Sequence, residues 1–468
     1  MGLLQPAGGP HALRDRPRHL TNWHKVNRLE RILTLDDFRN LRGKTVLLRA
    51  DLNSPLEKRN IVGGKRFETH AKTISLIAGR GAKVVVLAHQ GRKGGSDFTN
   101  LAQHAKLLSK LCEKKVFFKP DSNVISPATL DAVRRLKAGE IMLLDNARFL
   151  TEEADEKTPV EHARGKLVTA LAPIADVYVN DAFSNSHRSH ETMVGFPEVM
   201  ASCAGPVLWH ELSNASRARE QAKHPVVYLL GGAKPEDAMR LMEYSLKNAR
   251  VDKILTAGVI GELCLIARGN ELPPATLEEL RADGHDKLLL QLRDLIHEYH
   301  ENIETPFDFA FQDDEGKRFE MMLTACHAAD RAIGDVGIKT YQKYGRVLAK
   351  ARTIYIKGPL GKYELEPFQQ GTRHVLQATV ANRNAYTMIG GGHSGSASEK
   401  LGIPLANFSF ASLSGGALEE FMQGKPLPGI TALESAAKKF GAKPGAKKMP
   451  QPLPPAPAVH KTKQAKLK

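Results

Sequence analysis

Arg66, Arg92, Arg148 and Arg188, together with His89 and His187, are the residues of this sequence best placed to hold a small, multiply charged anion. A guanidinium fork binds two oxygens at once, which suits phosphate and carboxylate. A surface ion pair is the commoner role for any single arginine. These arginines, however, recur at one kind of place. Asp51 and Asn53, then His89 and Arg92, then Asn146 and Arg148, then Asn180, Asp181, His187 and Arg188 each follow a short apolar, β-branched run. Arg66 opens the first helical stretch.

The second half offers different chemistry at equivalent places. GGAK (231–234), GPLG (358–361), GGGHSG (390–395) and SGG (414–416) stand at strand ends. Glycines let backbone N–H groups approach phosphate, and a following helix N-terminus favours the negative charge. Lys234 adds a point charge, and Glu364 follows GPLG closely enough to accept hydrogen bonds from ribose hydroxyls. Any one such turn is explained by a left-handed residue alone; four in succession argue for a nucleotide. GGGHSG also fits the G-x-G-x-x-G dinucleotide fingerprint, but that motif wants an acid at the end of the next strand. The next strand here is FSFAS (408–412), without one. No G-x-x-x-x-G-K-[ST] loop occurs. His187 and His190, three residues apart with Asp181 nearby, offer a weak metal set in a basic neighbourhood, and a structural or phosphate-facing pair is the preferred reading.

The elements that must position these residues are parallel strands. TVLLRAD (45–51), KVVVLAH (83–89), EIMLLD (140–145) and DVYVND (176–181) read as buried strands with helical stretches between them. PVVYLLGG (225–232), KILTAG (253–258), TIYIKG (353–358), AYTMIGGG (385–392) and FSFAS form a second series. FDFAFQDDEGKRFEM (307–321) reads as a hairpin. Strand–helix alternation implies parallel sheets covered on both faces, with ligands outside the carboxyl ends of the strands. Two series are too many for one compact sheet. The expected fold is α/β, two doubly wound, Rossmann-like domains facing each other across a cleft with a hinge. Its parts are a basic extension (1–32), an N-terminal domain (33–205), a connecting helix and hinge (206–224), a C-terminal domain (225–414), terminal helices packing back on the first domain (415–440) and a Lys/Pro-rich tail (441–468).

Composition narrows the class. The chain has 468 residues, 42% hydrophobic and 25% charged, with a mean hydropathy of −0.32. No run of apolar residues reaches membrane-spanning length. Cys112, Cys203, Cys264 and Cys326 are far apart without a CxxC pair, which excludes a disulfide framework and points to a reducing, cytoplasmic setting. The net charge is +16. The tail holds seven lysines and no acid, and the first 32 residues add a further +4, so the centre is nearly balanced. Six prolines and little apolar periodicity make the tail unable to bury a core. Nucleic-acid contact through these basic ends is set below a solvated tail, because no aromatics are interleaved with the lysines.

The ordered set of segments LRADLNSPL (48–56), AHQGR (88–92), LLDNARF (143–149), VNDAFSNSHRSHETMVGF (179–196), LLGGAKPED (229–237), KGPLGKYELEPFQQGT (357–372) and IGGGHSGSAS (389–398) resembles the phosphoglycerate kinase family. GGGH and ADLNSP are similar to its archaeal branch. The resemblance covers about 33–440. It implies reversible phosphoryl transfer between 1,3-bisphosphoglycerate and ADP, giving 3-phosphoglycerate and ATP, in glycolysis and gluconeogenesis. Asp51, Leu52, Asn53, Arg66, His89, Gln90, Gly91, Arg92, Arg148 and Arg188 would hold 3-phosphoglycerate. Lys234, Glu364, Gly391, Gly392, His393 and Ser394 would hold the nucleotide as its Mg²⁺ complex. Arg66 and Lys234 would flank the phosphoryl group in flight, and closure of the two domains would exclude water.

Four departures bear on these roles. His393 stands where the family usually has a metal-binding Asp, and Mg²⁺ prefers oxygen. Lys357 replaces an Asn before GP. SLSGGA (412–417) replaces an STGGGA-like stretch, with Leu413 and Ser414 beside the transferring phosphate. Ala238 lies where bacterial and eukaryotic members carry a second lysine. The alternative to an active kinase is a kinase-derived binding protein with impaired turnover, whose basic ends contact nucleic acid. Retention of the arginines and Lys234 favours the enzyme.

Overall fold

A computed structural model describes residues 28–38 and 40–441. Most of the basic extension and of the Lys/Pro-rich tail lies outside them. Leu29 and Ile32 are buried in the main core, so the last turn of the segment 1–32 belongs to the fold.

Strands β1 (Thr45–Arg49), β2 (Lys83–Leu87), β3 (Val116–Phe118), β4 (Ile141–Leu143), β5 (Val177–Asn180) and β6 (Ser202–Ala204) form one parallel sheet in the order β3-β4-β2-β1-β5-β6. Strands β7 (Val226–Leu230), β8 (Lys253–Thr256), β9 (Ile303–Glu304), β13 (Thr353–Lys357), β14 (Tyr386–Gly390) and β15 (Phe410–Ala411) form a second, in the order β9-β8-β7-β13-β14-β15. Between them in sequence, β10 (Asp308–Gln312) and β11 (Arg318–Met322) make the expected hairpin, and β12 (Asp335–Val336) pairs with β10. The edge strands β3, β6 and β9 were not anticipated. Each has only two or three residues, too few for a periodic signal.

Both sheets are covered on both faces, and the strand period of two shows it. Val46 and Leu48 enter one core while Leu47 enters the other. Tyr228 and Leu230 likewise face one side and Val227 and Leu229 the opposite side. This explains why these strands read as continuous apolar runs.

The site is set by six helices: α1 (Lys65–Gly79), α2 (Pro206–Arg219), α3 (Pro235–Lys247), α4 (Gly392–Lys400), α5 (Gly416–Met422) and α6 (Pro428–Phe440). The connection is α2. It starts at Gly205 with Pro206 in its first turn, a position where a missing N–H costs nothing. The Asp181 carboxylate accepts the Val207 N–H at 2.7 Å. Leu208, Leu212 and Ala215 of α2 share a core with Tyr228, Tyr355 and Phe421. In the other direction α6 packs on β6, after passing Ser186, whose carbonyl accepts the Gly429 N–H at 2.9 Å. Two covalently distant segments, α2 and α6, therefore join the halves.

Candidate active site

In the first sheet β1 has β2 on one side and β5 on the other. Strand order reverses there, which opens a crevice at the strand ends. The anion-binding candidates gather around it. Asp51 follows β1, and its carboxylate lies 3.3 Å from the Arg66 guanidinium of α1 and accepts the Ser184 hydroxyl. Burial opposes its ionisation, but Arg66 and the Ser184 hydroxyl hold its carboxyl down at about 2. Asn53 places its side-chain oxygen 2.8 Å from the Gly91 N–H and its carbonyl 3.1 Å from Arg66. Arg148 donates to the Gly91 carbonyl. Arg92 is exposed and Arg188 half-buried.

Two of the sequence-predicted residues act from behind this wall. Leu52 is fully buried in the core. Gln90 spends its amide on Ser54, Asp97 and His104. Each can support the site only through its backbone or its packing.

The sequence reading missed Arg49. It sits inside β1, 1% exposed, and donates to His89 Nδ1 at 2.9 Å and to the Thr192 hydroxyl at 2.9 Å. With Nδ1 as acceptor, the His89 proton is carried on Nε2. Burial, then Arg49 and Arg148, keep His89 well below its usual range, so it is neutral. Burial and the neighbouring Arg49 and Arg188 pull Arg148 down to about 10. Arg188 is lowered by burial and by Arg92. These guanidiniums repel one another, and Glu153 opposes this at Arg148 while Glu156 and Asp51 oppose it at Arg188. A charged residue interrupting an apolar strand was the signal that marked Arg49.

His187 and His190 do not form a metal site. Burial and Arg188 push His190 down to about 3, and among the described residues no cluster of His, Cys, Asp and Glu could hold an ion.

The second sheet repeats the crevice, with β7 between β8 and β13. Here the strand ends enclose a cavity of about 750 Å³, the size of a small-molecule pocket. Gly231, Lys234, Lys357, Glu364, Gly391, Gly392, His393 and Ser394 line it, with Phe309 and Val336 forming an apolar side. All its walls come from the second half. Gly391, at φ +87°, precedes α4, whose first N–H groups lack intrahelical partners. The Ser394 hydroxyl accepts the Gly358 N–H at 2.7 Å and ties the GPLG loop to this helix start. Lys234 and His393 are exposed, and Glu364 is exposed with its carbonyl accepting Lys400 at 2.9 Å.

The halves meet at Arg66. Its guanidinium reaches the Leu413 carbonyl at 3.5 Å. Beneath it lies a small cavity of about 20 Å³, bounded by Asp51, His70, Asp181 and Glu211 together with Phe183 and Val207. Glu211 of α2 was also missed by sequence reading, because nothing local distinguishes it from a surface acid on a helix.

A basic wall at the strand ends of one sheet and a glycine-lined cavity at those of the other make the layout of a two-substrate phosphotransferase. Comparison with known proteins narrows this. The family model for phosphoglycerate kinase matches residues 35–425. The phosphoglycerate kinase of Aeropyrum pernix is 38% identical over 412 residues, 88% of this chain and 97% of that protein. That of Methanosarcina mazei is 36% identical over 409 residues, 87% and 96% of the two chains. The crystal structure of phosphoglycerate kinase from Pyrococcus horikoshii superposes with a TM-score of 0.78 at 34% identity, covering 87% of this chain and all of that one. The chain belongs to the phosphoglycerate kinase family.

Proposed function

We propose that each half holds one substrate and that the reaction runs between them when the halves close. The basic wall built on Asp51, Asn53, Arg66, His89, Arg92, Arg148 and Arg188 takes 3-phosphoglycerate or 1,3-bisphosphoglycerate. The cavity bounded by Lys234, Glu364 and Gly391–Ser394 takes ADP or ATP. The ADP β-phosphate oxygen attacks the acyl phosphate; the new P–O bond forms as the bond to the carboxyl oxygen breaks. The products are ATP and the carboxylate of 3-phosphoglycerate, so no proton has to move. Charge spreads over the equatorial oxygens of a loose transition state, and the protein's task is positioning and charge stabilisation. Arg66 serves from one side and Lys234 from the other. The supporting observation is that the nucleotide cavity has no wall from the first half, so transfer needs domain closure, which also keeps water from the phosphoryl group.

Mg²⁺ belongs to this chemistry as MgADP or MgATP. The residues at Gly391–Ser394 do not fit a protein-held ion. His393 offers nitrogen where Mg²⁺ takes oxygen, and Asp237 and Glu419 face Lys357. The ion is carried by the nucleotide.

All four cysteines are buried free thiols, which fits the cytoplasm. Every relative named above is a phosphoglycerate kinase, and no observation favours a turnover-deficient, nucleic-acid-binding protein. A coupled assay tests the reading, with 3-phosphoglycerate, MgATP, NADH and glyceraldehyde-3-phosphate dehydrogenase, and Lys234→Ala as control. NADH oxidation that needs both substrates and collapses in the control is expected. No turnover with the wild-type chain overturns it.

A further inference from the structure

We infer that Lys357 is a second phosphate-positioning cation of the nucleotide cavity, held by two carboxylates until the terminal phosphate of a nucleotide arrives. This rests on the nucleotide reading of that cavity. Lys357 closes β13, which pairs with β7 beside the second crevice. Its neighbour Gly358 is tied to Ser394 at the start of α4. The side chain is 10% exposed, and lysines are almost never so buried without a close partner.

Its partners are not close. The ammonium is 3.6 Å from Glu419 Oε1 on α5 and 3.9 Å from Asp237 Oδ2 in the first turn of α3. A charge-assisted hydrogen bond is about 2.7–2.9 Å. Lys234 stands near enough to repel it. Burial further penalises the ammonium and also pushes the Glu419 carboxyl up. The group is thus a desolvated lysine with two loose tethers, in a cavity that also presents Lys234 and a helix N-terminus. A phosphate, multiply charged and bound by those same elements, is the stronger partner. The competing explanation is that Lys357 merely neutralises Asp237 and Glu419.

The test uses the full chain with Lys357→Met, Lys357→Arg and the double variant Lys357→Met/Glu419→Leu, which removes the stranded acid in case the single variant fails to fold. Calorimetric titration compares ADP with adenosine, and steady-state assays separate kcat from the two KM values. A charged hydrogen bond to phosphate corresponds to about ten-fold or more. Lys357→Met should weaken ADP by that factor, leave adenosine within about two-fold and lower kcat, with the KM for 3-phosphoglycerate unchanged. Lys357→Arg should recover most of the loss, and the double variant should not. Equal weakening of ADP and adenosine, or wild-type ADP affinity in the double variant, overturns the inference. A wild-type chain that binds neither ligand overturns the nucleotide reading itself and this inference with it.

Discussion

Glu211 accepts the Ser412 hydroxyl at 2.6 Å. One residue lies on the connecting helix α2, the other on the loop beyond β15 that ends the second sheet, so the bond ties that helix to that loop. The Leu413 N–H adds a second bond at 3.0 Å. Burial pushes the Glu211 carboxyl up from 4.5 to about 7 in spite of these donors and of Arg66. A raised carboxyl costs the fold nothing while both states are protonated. Stability is then lost as pH climbs from the unfolded value towards the folded one, and the loss is constant above it. Glu211→Gln should therefore gain on the wild type between about pH 4.5 and 7, by up to about 3 kcal/mol. Urea midpoints at acid and alkaline pH measure this, and a difference that is flat with pH would sink the idea.

Arg66 is the only residue described above that touches both Asp51 and the Leu413 loop. Arg66→Ala should lower kcat by about 10²–10³-fold, the usual loss when one preorganised donor to a developing charge is removed. Nucleotide affinity should be unchanged, because the cavity has no wall from the first half. Titration with ADP beside steady-state kinetics separates the two effects.

Arg188 makes one weak side-chain hydrogen bond, 3.4 Å to His187, and the repulsion of Arg92 and Arg49 offsets the attraction of Glu156 and Asp51. Arg188→Met should therefore leave the ligand-free chain as stable as the wild type, within about 0.5 kcal/mol. Its KM for 3-phosphoglycerate should rise about ten-fold or more. A marked fall in the melting temperature of the ligand-free variant would show that the guanidinium serves the fold instead.

Much of this arrangement was legible in the sequence, for physical reasons. β1, β2, β7 and β13 are buried on both faces, so their apolar runs stand out, and ligands sit where such strands end. The arginines that follow them were visible for the same reason. Arg49 and Glu211 escaped because their partners, His89 and Ser412, are 40 and 201 residues away. The edge strand β3 escaped because three residues carry no period. Gln90 and Leu52 lie in the right segments, but which way a side chain turns is decided by packing, and theirs turn inward.

Gly358 stands at φ +84°, and a Cβ there would drive into the Gly231 carbonyl. The loops GGAK and GPLG can cross only because neither has a side chain at that point. Gly358→Ala should cost more than about 2 kcal/mol and abolish the rise in melting temperature that ADP gives the wild type. A nucleotide response that survives would mean that the crossing can move.

His393→Asp would supply an oxygen ligand beside the phosphate loop. The Mg²⁺ concentration for half-maximal rate should fall by about five-fold or more, each charged contact being worth about 1 kcal/mol or more. An unchanged Mg²⁺ dependence would show that position 393 does not approach the ion.

The mutual repulsion of Arg49, Arg148 and Arg188 has a consequence for the protein's life in a cell. In the proposed reaction an anionic substrate would bring further negative charge beside them. A ligand that binds only the folded chain adds RT ln(1 + [L]/Kd) to stability, and relief of that repulsion is part of what would set Kd. The molecule should be sturdiest while metabolite is flowing and most fragile when starved of it, so that the supply of substrate helps to set how much of the enzyme survives.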